Sequence, residues 1–348
     1  MNGVVRSALV VALLAGTAAA CSGPAPAAPS ASPAAATSSA PVPSPSHSPE
    51  PQAVTVPEAE KAFSGFLATD EVLRAAGADR WTLSLARDGQ RPISAAQVHS
   101  YGAKPPHYTW AHPAVFVPRQ SAGAGLQWFA ATAERRNSTG DVRTAVFAFT
   151  RPNAASRWQN SFESLVYPGD QPPKISVDAE GYATSLASRD QSVAISPNLM
   201  GPLHATVAEE GQDGYASGLI APGPQTTGFS AVIKADKQKA LKNGLNYNSL
   251  FAIAATYPSF ALRTGDGGAL MFYTLIRTST WTPELEFAKG RPVPIPPAAR
   301  WTLQNPAIWD ERRIEETQQY VSAVPPKTST APARVIAYDS FVTRASAT

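Results

Sequence analysis

Apolar and polar positions divide the chain into an apolar start, a Pro-rich polar stretch and a long mixed region. An uncharged run rich in Leu, Val and Ala extends from Ser7 to Ala20. Residues 22–53 are almost entirely Pro, Ala and Ser and include no aromatic side chain. From residue 54 onward, apolar residues recur at the spacing of helices and strands. The folded part is therefore predicted to begin at residue 54.

The first half of the folded part predicts helices followed by strands. Thr55 and Glu58 have the capping-box spacing, and apolar residues then recur helically as far as Leu73. A second helix is predicted over Ser94 to Tyr101. The predicted strands are residues 107–117, 126–135 and 143–150. Residues 143–150 are apolar on both faces, which indicates a sheet covered on both sides. Residues 153–165 fit either a helix or an extension of this sheet.

The second half predicts the same order of elements. Residues 168–227 are rich in Gly, Pro and Asp and are interpreted as a connector with some structure. A Lys-rich helical run from Lys234 to Leu241 then precedes strands at residues 259–263, 269–276 and 334–343. The chain is therefore divided into residues 1–20, 21–53, 54–225 and 226–348. Similar strand openings at Gly125 and Gly268 fit either an internal duplication or chance similarity of two β-rich segments.

The amino-terminal residues predict export. Arg6, the apolar run and the small residues after it form the pattern of a secretory signal. Fourteen helical residues reach only about 21 Å, less than the ~30 Å apolar thickness of a membrane. Residues 1–20 are therefore predicted to be a signal peptide rather than a permanent membrane span.

Cys21 is the only cysteine of the chain and directly follows Ala18-Ala19-Ala20. This junction resembles the bacterial lipobox, although Ala18 stands where that motif usually has Leu. The resemblance implies cleavage before Cys21 and a lipid on its sulfur, which anchors the protein to the outer face of the cytoplasmic membrane. The alternative is ordinary signal cleavage that leaves a free thiol. The Pro/Ala/Ser residues 21–53 are then a disordered spacer, since they have too little apolar bulk to fold.

Charge and cysteine content limit the possible partners. The formal net charge is +3, and no Lys/Arg cluster exceeds pairs such as Arg135-Arg136 and Arg312-Arg313. This balance argues against nucleic acid as a partner. A single cysteine allows no internal disulfide, so the fold depends on its apolar core.

Candidate chemistry is sparse, and the sequence predicts no catalytic, cofactor-binding or metal-binding residue. His107 and His112 are an odd number of positions apart on a predicted strand, which places them on opposite faces. Ser217 lacks the preceding strand of a nucleophile elbow. The adjacent carboxylates Glu209-Glu210 and Glu315-Glu316 are interpreted as solvated helix positions. Asp266 and Asn137 are interpreted as turn residues rather than as a calcium ligand and a glycosylation site.

Trp301 and Trp309 lie in or just after a Pro-rich stretch, where exposure is plausible for an aromatic side chain. The other tryptophans of the folded part are expected to be mostly core residues. An exposed Trp301–Trp309 pair is a candidate contact for a glycan or a protein partner.

The signal, the spacer, the capped helix, the two β-rich halves and the segment Arg334 to Tyr338 together resemble a family of uncharacterised actinobacterial lipoproteins with a domain of unknown function. The resemblance implies an α+β fold of two tandem cystatin-like or nuclear-transport-factor-two-like units, each a helix on a curved antiparallel sheet. Three functions stay open. They are a non-catalytic module that binds a small ligand or an envelope protein, an enzyme with a cone-shaped cavity, and a structural protein of envelope assembly.

Overall fold

The computed structural model describes residues 52–101, 105–121, 123, 125–284, 291–303 and 305–347. The predicted signal peptide, Cys21 and nearly all of the spacer lie outside the described residues. The boundary predicted between residues 225 and 226 stays a prediction. Among the described residues, no helix has the length and apolar composition needed to cross a membrane.

The described residues form five α-helices and nine strands, and the predicted α+β class is confirmed. The helices are α1 (Val56–Ala75), α2 (Asp79–Ser84), α3 (Gln90–Tyr101), α4 (Pro197–Glu210) and α5 (Gly228–Lys242). The strands are β1 (Tyr108–Phe116), β2 (Gln127–Asn137), β3 (Val142–Arg151), β4 (Gln159–Leu165), β5 (Leu245–Ile253), β6 (Phe260–Arg263), β7 (Ala269–Pro283), β8 (Arg312–Val324) and β9 (Arg334–Ala347). Short 3₁₀ helices occupy Gly211–Asp213 and Pro297–Thr302.

Two antiparallel sheets organise these elements. The first has the order β1-β2-β3-β4, and the second has the order β5-β7-β8-β9 with β6 also paired to β7. The first sheet follows three helices in the chain, whereas the second follows α4 and α5. The prediction of helices before strands in each half is therefore confirmed.

Helix α1 begins where the sequence predicts. The Oγ1 atom of Thr55 accepts a hydrogen bond from the backbone N of Glu58 at 3.3 Å. The buried face of α1 packs on the first sheet, and the ring centroid of Phe63 lies 5.2 Å from that of Phe147 and 5.7 Å from that of Phe149. Such tilted aromatic contacts add to the free energy gained by apolar burial.

Strand β3 is covered on both faces, as predicted. Ala145, Phe147 and Phe149 pack with α1, whereas Val146 and Ala148 belong to a second cluster that includes Phe272 and Val321 of the other sheet. An alternating strand can supply two cores only if both sets of side chains are apolar. This arrangement explains why β3 is the most apolar strand of the first sheet.

The structure decides or corrects the predicted identity of several elements. Residues 159–165 form β4 of the first sheet, so of the two interpretations of residues 153–165 the extension of the sheet is confirmed and the helix is excluded for these residues. The connector contains a helix, α4, which was not predicted. Glu315 and Glu316 lie on β8 and not on a helix, and the whole of β8 was missed. The reason is that buried polar residues give β8 little apolar alternation.

The second core contains a buried polar chain centred on His204, which is 0% exposed. The backbone O of Gln225 can only accept, so Nε2 of His204 donates to it at 2.7 Å. Nδ1 of His204 then accepts from the hydroxyl of Tyr273 at 2.8 Å, and that hydroxyl accepts from Ser322 at 2.9 Å. Burial lowers the pKa of His204 to about 4, which keeps the ring neutral.

Candidate functional site

A cavity of about 370 Å³ lies between α1, α2, α3 and β4. Phe66, Asp70 and Arg74 of α1 face it because residues four positions apart share one side of a helix. The remaining lining comes from the end of α1 and its following turn, α2 and the residues after it, α3, Pro105 and β4. The volume is that of a small-molecule site.

An ion pair closes one side of this cavity. Nη2 of Arg74 lies 2.5 Å from Oδ2 of Asp70, and both side chains are largely buried. The guanidinium of Arg74 also lies 5.1 Å from the ring centroid of Tyr108. The charges of Asp70 and Arg74 compensate each other, so this pair adds polarity to the cavity without adding net charge.

Glu163 of β4 contributes a carboxyl group to the lining of the cavity. Nδ2 of Asn160 donates a hydrogen bond to Oε2 of Glu163 at 3.2 Å. Burial raises the pKa of Glu163 to about 7, and the nearby carboxyl groups of Asp70 and Asp339 contribute in the same direction. Part of the Glu163 population is therefore protonated near neutral pH, and the group can donate or accept a proton there.

Positive charges oppose this rise in the pKa of Glu163. The guanidinium groups of Arg135 and Arg74 favour its ionised form, but they do not offset the burial. Asp339 of β9 also has a raised pKa. Burial raises this pKa to about 6, although the guanidinium groups of Arg135 and Arg143 favour the ionised form. Glu163 and Asp339 are thus two carboxyl groups that ionise in the neutral to mildly acidic range.

Gln319 of β8 lies between the two strands that carry these carboxyl groups. Its side-chain amide pairs with the edge of β4 as a strand would, accepting from the backbone N of Glu163 at 3.1 Å and donating to the backbone O of Ser161 at 3.4 Å. Gln319 is also the cross-strand partner of Asp339. The second sheet therefore fixes the backbone of Glu163 and places Asp339 beside it.

Gln90 adds an acceptor to the cavity wall. The residue is 2% exposed, and its Nε2 donates to Oγ of Ser94 at 3.3 Å. Its Oε1 is buried and has no hydrogen-bond partner among the described residues. A buried acceptor without a partner costs about 1–3 kcal/mol, and a hydrogen-bond donor that reached it from the cavity would remove this cost.

Cys21, the one predicted site residue, and the two weighed histidines fall in different places. Cys21 lies outside the described residues. His107 is exposed, and His112 has a φ of 49° at the bulge of β1, where its Nε2 lies 3.8 Å from Oε2 of Glu134. Within the described ranges, no three His, Cys, Asp or Glu side chains converge as a metal site would require.

The turn interpretations are confirmed. Oδ1 of Asp266 accepts from Oγ1 of Thr264 at 2.5 Å and from the backbone N of Gly268 at 3.1 Å, which caps the β6–β7 hairpin. Oδ1 of Asn137 accepts from the backbone N of Thr139 and that of Asp141. These oxygens are occupied by the turns that they stabilise.

Trp301 and Trp309 differ in their surroundings. Trp309 is 55% exposed, as predicted. The ring of Trp301 is partly buried and stacks on His99 of α3, with centroids 4.6 Å apart. The exposed pair predicted from the sequence is therefore corrected to a single exposed tryptophan, because Trp301 takes part in packing.

Comparison with known proteins places the chain in a family. Over residues 50–347 it matches the family described as "Domain of unknown function (DUF8094)". An uncharacterized lipoprotein of Streptomyces avermitilis is 33% identical over 150 residues, which are 42% of this chain and 41% of the relative. One from Streptomyces coelicolor is 28% identical over 252 residues, 66% of this chain and 68% of the relative.

Another uncharacterized lipoprotein of Streptomyces coelicolor is 26% identical over 172 residues, which are 49% of this chain and 48% of the relative. The chain thus spans less than half the length of two of the curated relatives that it matches. No solved structure matches it. Since the family match covers nearly all of the part after the spacer, the chain belongs to the DUF8094 family, and its relatives are actinobacterial lipoproteins.

Proposed function

We propose that the protein is a lipid-anchored binding protein on the outer face of the cytoplasmic membrane, and that it holds a small polar ligand in the cavity of α1–α3 and β4. The anchor rests on the Cys21 junction and on relatives that are named lipoproteins. The binding role rests on one observation. Gln90, whose buried Oε1 has no partner among the described residues, and Glu163, whose pKa burial raises to about 7, line the same cavity.

The chemistry of the cavity favours a ligand that donates hydrogen bonds. The Asp70–Arg74 pair is neutral as a whole, while Glu163 and Gln90 carry oxygen acceptors. A polyol or an amine fits this set better than an anion, because a second negative charge beside Glu163 would be repelled. The two halves are further proposed to be cystatin-like or nuclear-transport-factor-two-like units, since helices precede an antiparallel sheet in each.

The anchor is tested by intact-mass analysis of the protein from its native membrane. We expect the wild-type protein to lack residues 1–20 and to carry the added mass of a diacylglyceryl group, because the lipobox cysteine becomes the modified amino terminus. The Cys21→Ser variant should lack the added mass. An unmodified, water-soluble wild-type form would contradict the anchor and leave the cavity proposal untouched.

The cavity is tested by filling it. Gln97 of α3 lines the cavity and is partly buried, whereas Ser100 of the same helix is exposed and does not line it. We expect Gln97→Trp to abolish the retention of a small molecule that co-purifies with the wild-type chain, since the indole would occupy its volume. The measurement is mass spectrometry of compounds released from the purified full chain in non-ionic detergent.

The matched control for this experiment is Ser100→Trp, which adds the same side chain to the same helix outside the cavity. It should retain the compound at the wild-type ratio. Equal recovery from both variants, or no compound from any of the three proteins, would contradict ligand binding in the cavity.

An acid–base enzyme is the second candidate function. It is favoured by the raised pKa values of Glu163 and Asp339, since a general acid or base works best near the ambient pH. A hydrolytic activity of the full chain that is lost in both Glu163→Gln and Asp339→Asn would support it. Ligand binding without turnover at any pH between 5 and 8 would contradict the enzyme and would be consistent with the binding role.

A further inference from the structure

A second cavity, of about 450 Å³, lies in the other half of the protein. It is formed by the end of α5, the start of β5, the end of β7, the start of β8 and the prolines around Pro292. None of its lining residues lines the cavity that contains Glu163. The two cavities can therefore be tested separately.

Three neighbouring strands place an aromatic row beside Arg312, and Trp281 of this row lines the second cavity together with Arg312. Tyr247 of β5 is the cross-strand partner of Trp281 of β7, which in turn is the partner of Arg312 of β8. The ring centroids of Tyr247 and Trp281 are 4.8 Å apart, and the guanidinium carbon of Arg312 lies 3.8 Å from the centroid of Trp281. This stacking fixes the plane of the guanidinium.

Arg312 is buried without a compensating carboxylate. The residue is 7% exposed, and its Nη1 donates to the backbone O of Pro294. Its Nε has no hydrogen-bond partner, and no carboxylate forms an ion pair with Arg312 among the described residues. Burial lowers the pKa of Arg312 to about 10.

The other buried arginines show what is missing at Arg312. On the same sheet, Arg277 lies 3.8 Å from carboxylate oxygens of both Asp236 and Glu316. Arg151 of the first sheet forms an ion pair with Glu58. A buried cation is stable when it is paired and hydrogen-bonded. Of these three arginines, Arg312 is the one that has no carboxylate partner among the described residues and that a bound anion would stabilise.

The charged residues around Arg312 make the cavity more favourable for an anion. Lys239 and Arg291 also line the cavity. Asp236 is the one carboxylate among its described lining residues, and it lies 3.8 Å from Nη2 of Arg277. Three cations therefore face the cavity against one carboxylate that already has a partner.

We propose that this second cavity binds a phosphoryl group carried on a small organic molecule. A planar guanidinium that has no carboxylate partner among the described residues matches phosphoryl oxygens, and three cations balance a doubly charged group better than a single carboxylate. The remaining volume, lined by Trp281 and prolines, accommodates the organic part of the ligand. This site is independent of the ligand-binding role proposed for the first cavity.

The test is a phosphorus-31 NMR titration of inorganic phosphate with the purified full chain in non-ionic detergent. The expected result is saturable binding that weakens with added salt, because screening reduces the attraction between charges. Arg312→Gln should weaken the affinity about tenfold or more, since hydrogen bonds to charged groups are the strong ones. Acetate at the same concentration should not displace the phosphate.

A pair of lysines on α5 supplies the matched control. Lys239 lines the cavity, whereas Lys237 is exposed on the same helix and does not. Lys239→Gln should weaken phosphate binding about threefold, and Lys237→Gln should leave it unchanged. If Arg312→Gln does not fold, the double variant Lys239→Gln/Arg291→Gln, in which both changes are at the cavity lining, takes its place and should lose binding.

The source of the phosphoryl group is distinguished by two further probes. Glycerol phosphate represents a water-soluble ligand, and dihexanoyl phosphatidic acid below its micelle concentration represents a lipid headgroup with the same phosphomonoester. Tighter binding of one of them that depends on Arg312 supports the proposal and identifies the source. Equal effects of the two lysine variants, binding that does not depend on Arg312 or Arg291, or full displacement by acetate would overturn it.

Discussion

Replacing His204 with alanine is expected to lower the free energy of unfolding by about 4 kcal/mol, the upper part of the range for large-to-small changes in a core. The ring is 0% exposed and packs on the aromatic rings of Tyr273 and Tyr320. Its loss leaves a cavity and also removes partners from two buried groups, the hydroxyl of Tyr273 and the backbone O of Gln225. Each such group then costs its own desolvation. Urea unfolding of the full chain in detergent, followed by tryptophan fluorescence, measures the change.

A matched histidine is available as the control. His107 is exposed at the start of the first sheet, and His107→Ala should change the free energy of unfolding by less than about 0.5 kcal/mol. A loss below about 1 kcal/mol in His204→Ala would show that the chain from Ser322 through Tyr273 to Gln225 does not depend on the imidazole. Such a result would contradict the hydrogen-bond assignment made here.

The part of the fold that could be predicted from the sequence is the part that is held by apolar contacts. Strand β3 was predicted because both of its faces are apolar, and α1 was predicted because Thr55 caps a helical pattern. Strand β8 was missed because its buried residues include Thr317, Gln318 and Gln319. Their burial is stable only because other strands supply hydrogen-bond partners, and partners distant in sequence leave no local pattern.

Helix α4 was missed for a different reason. It contains Gly201 and Pro202, which are ordinarily read as signals of a loop. In the structure a Cβ atom on Gly201 would collide with Ile253 of β5, so the glycine allows the helix to lie close against the second sheet. A residue that disfavours helices locally is here favoured by tertiary packing.

The candidate site could not have been predicted residue by residue. Glu163 and Asp339 are 176 positions apart in the chain, and each is a single acidic residue in a strand. Their common environment arises because Gln319 joins β8 to the edge of β4. In the sequence, Arg312 is only one of two adjacent arginines, because burial in the fold and not the local sequence distinguishes it from Arg313.

The stability of the Glu163→Gln variant relative to wild type is expected to depend on pH. The carboxyl has a pKa of about 7 in the folded protein and about 4.5 in the unfolded chain. The folded state therefore binds the proton more tightly, and this contribution is fully present below pH 4.5 and is lost as the pH rises through 7. Glutamine cannot ionise, so the variant should be more stable than wild type at pH 8 by about 2 kcal/mol, after allowance for water in the cavity. At pH 4.5 the two should be nearly equal.

His204 makes this comparison between variants necessary. Its pKa is lowered from 6.5 to about 4, so its contribution is fully present above pH 6.5 and is lost as the pH falls toward 4. Glu163 and Asp339 change the free energy of unfolding in the opposite direction over much of the same pH range. The pH profile of wild-type stability alone would therefore not separate the contributions of His204, Glu163 and Asp339. The difference in the free energy of unfolding between wild type and Glu163→Gln cancels the contributions of His204 and Asp339, which both proteins share.

Glu60→Gln, at an exposed position of α1, is the control, and its free energy of unfolding should follow that of wild type at every pH. If the difference in the free energy of unfolding between Glu163→Gln and wild type is constant from pH 4.5 to 8, Glu163 is solvated like a surface carboxylate. The prediction that the cavity contains a carboxyl group that exchanges protons near neutral pH would then be wrong.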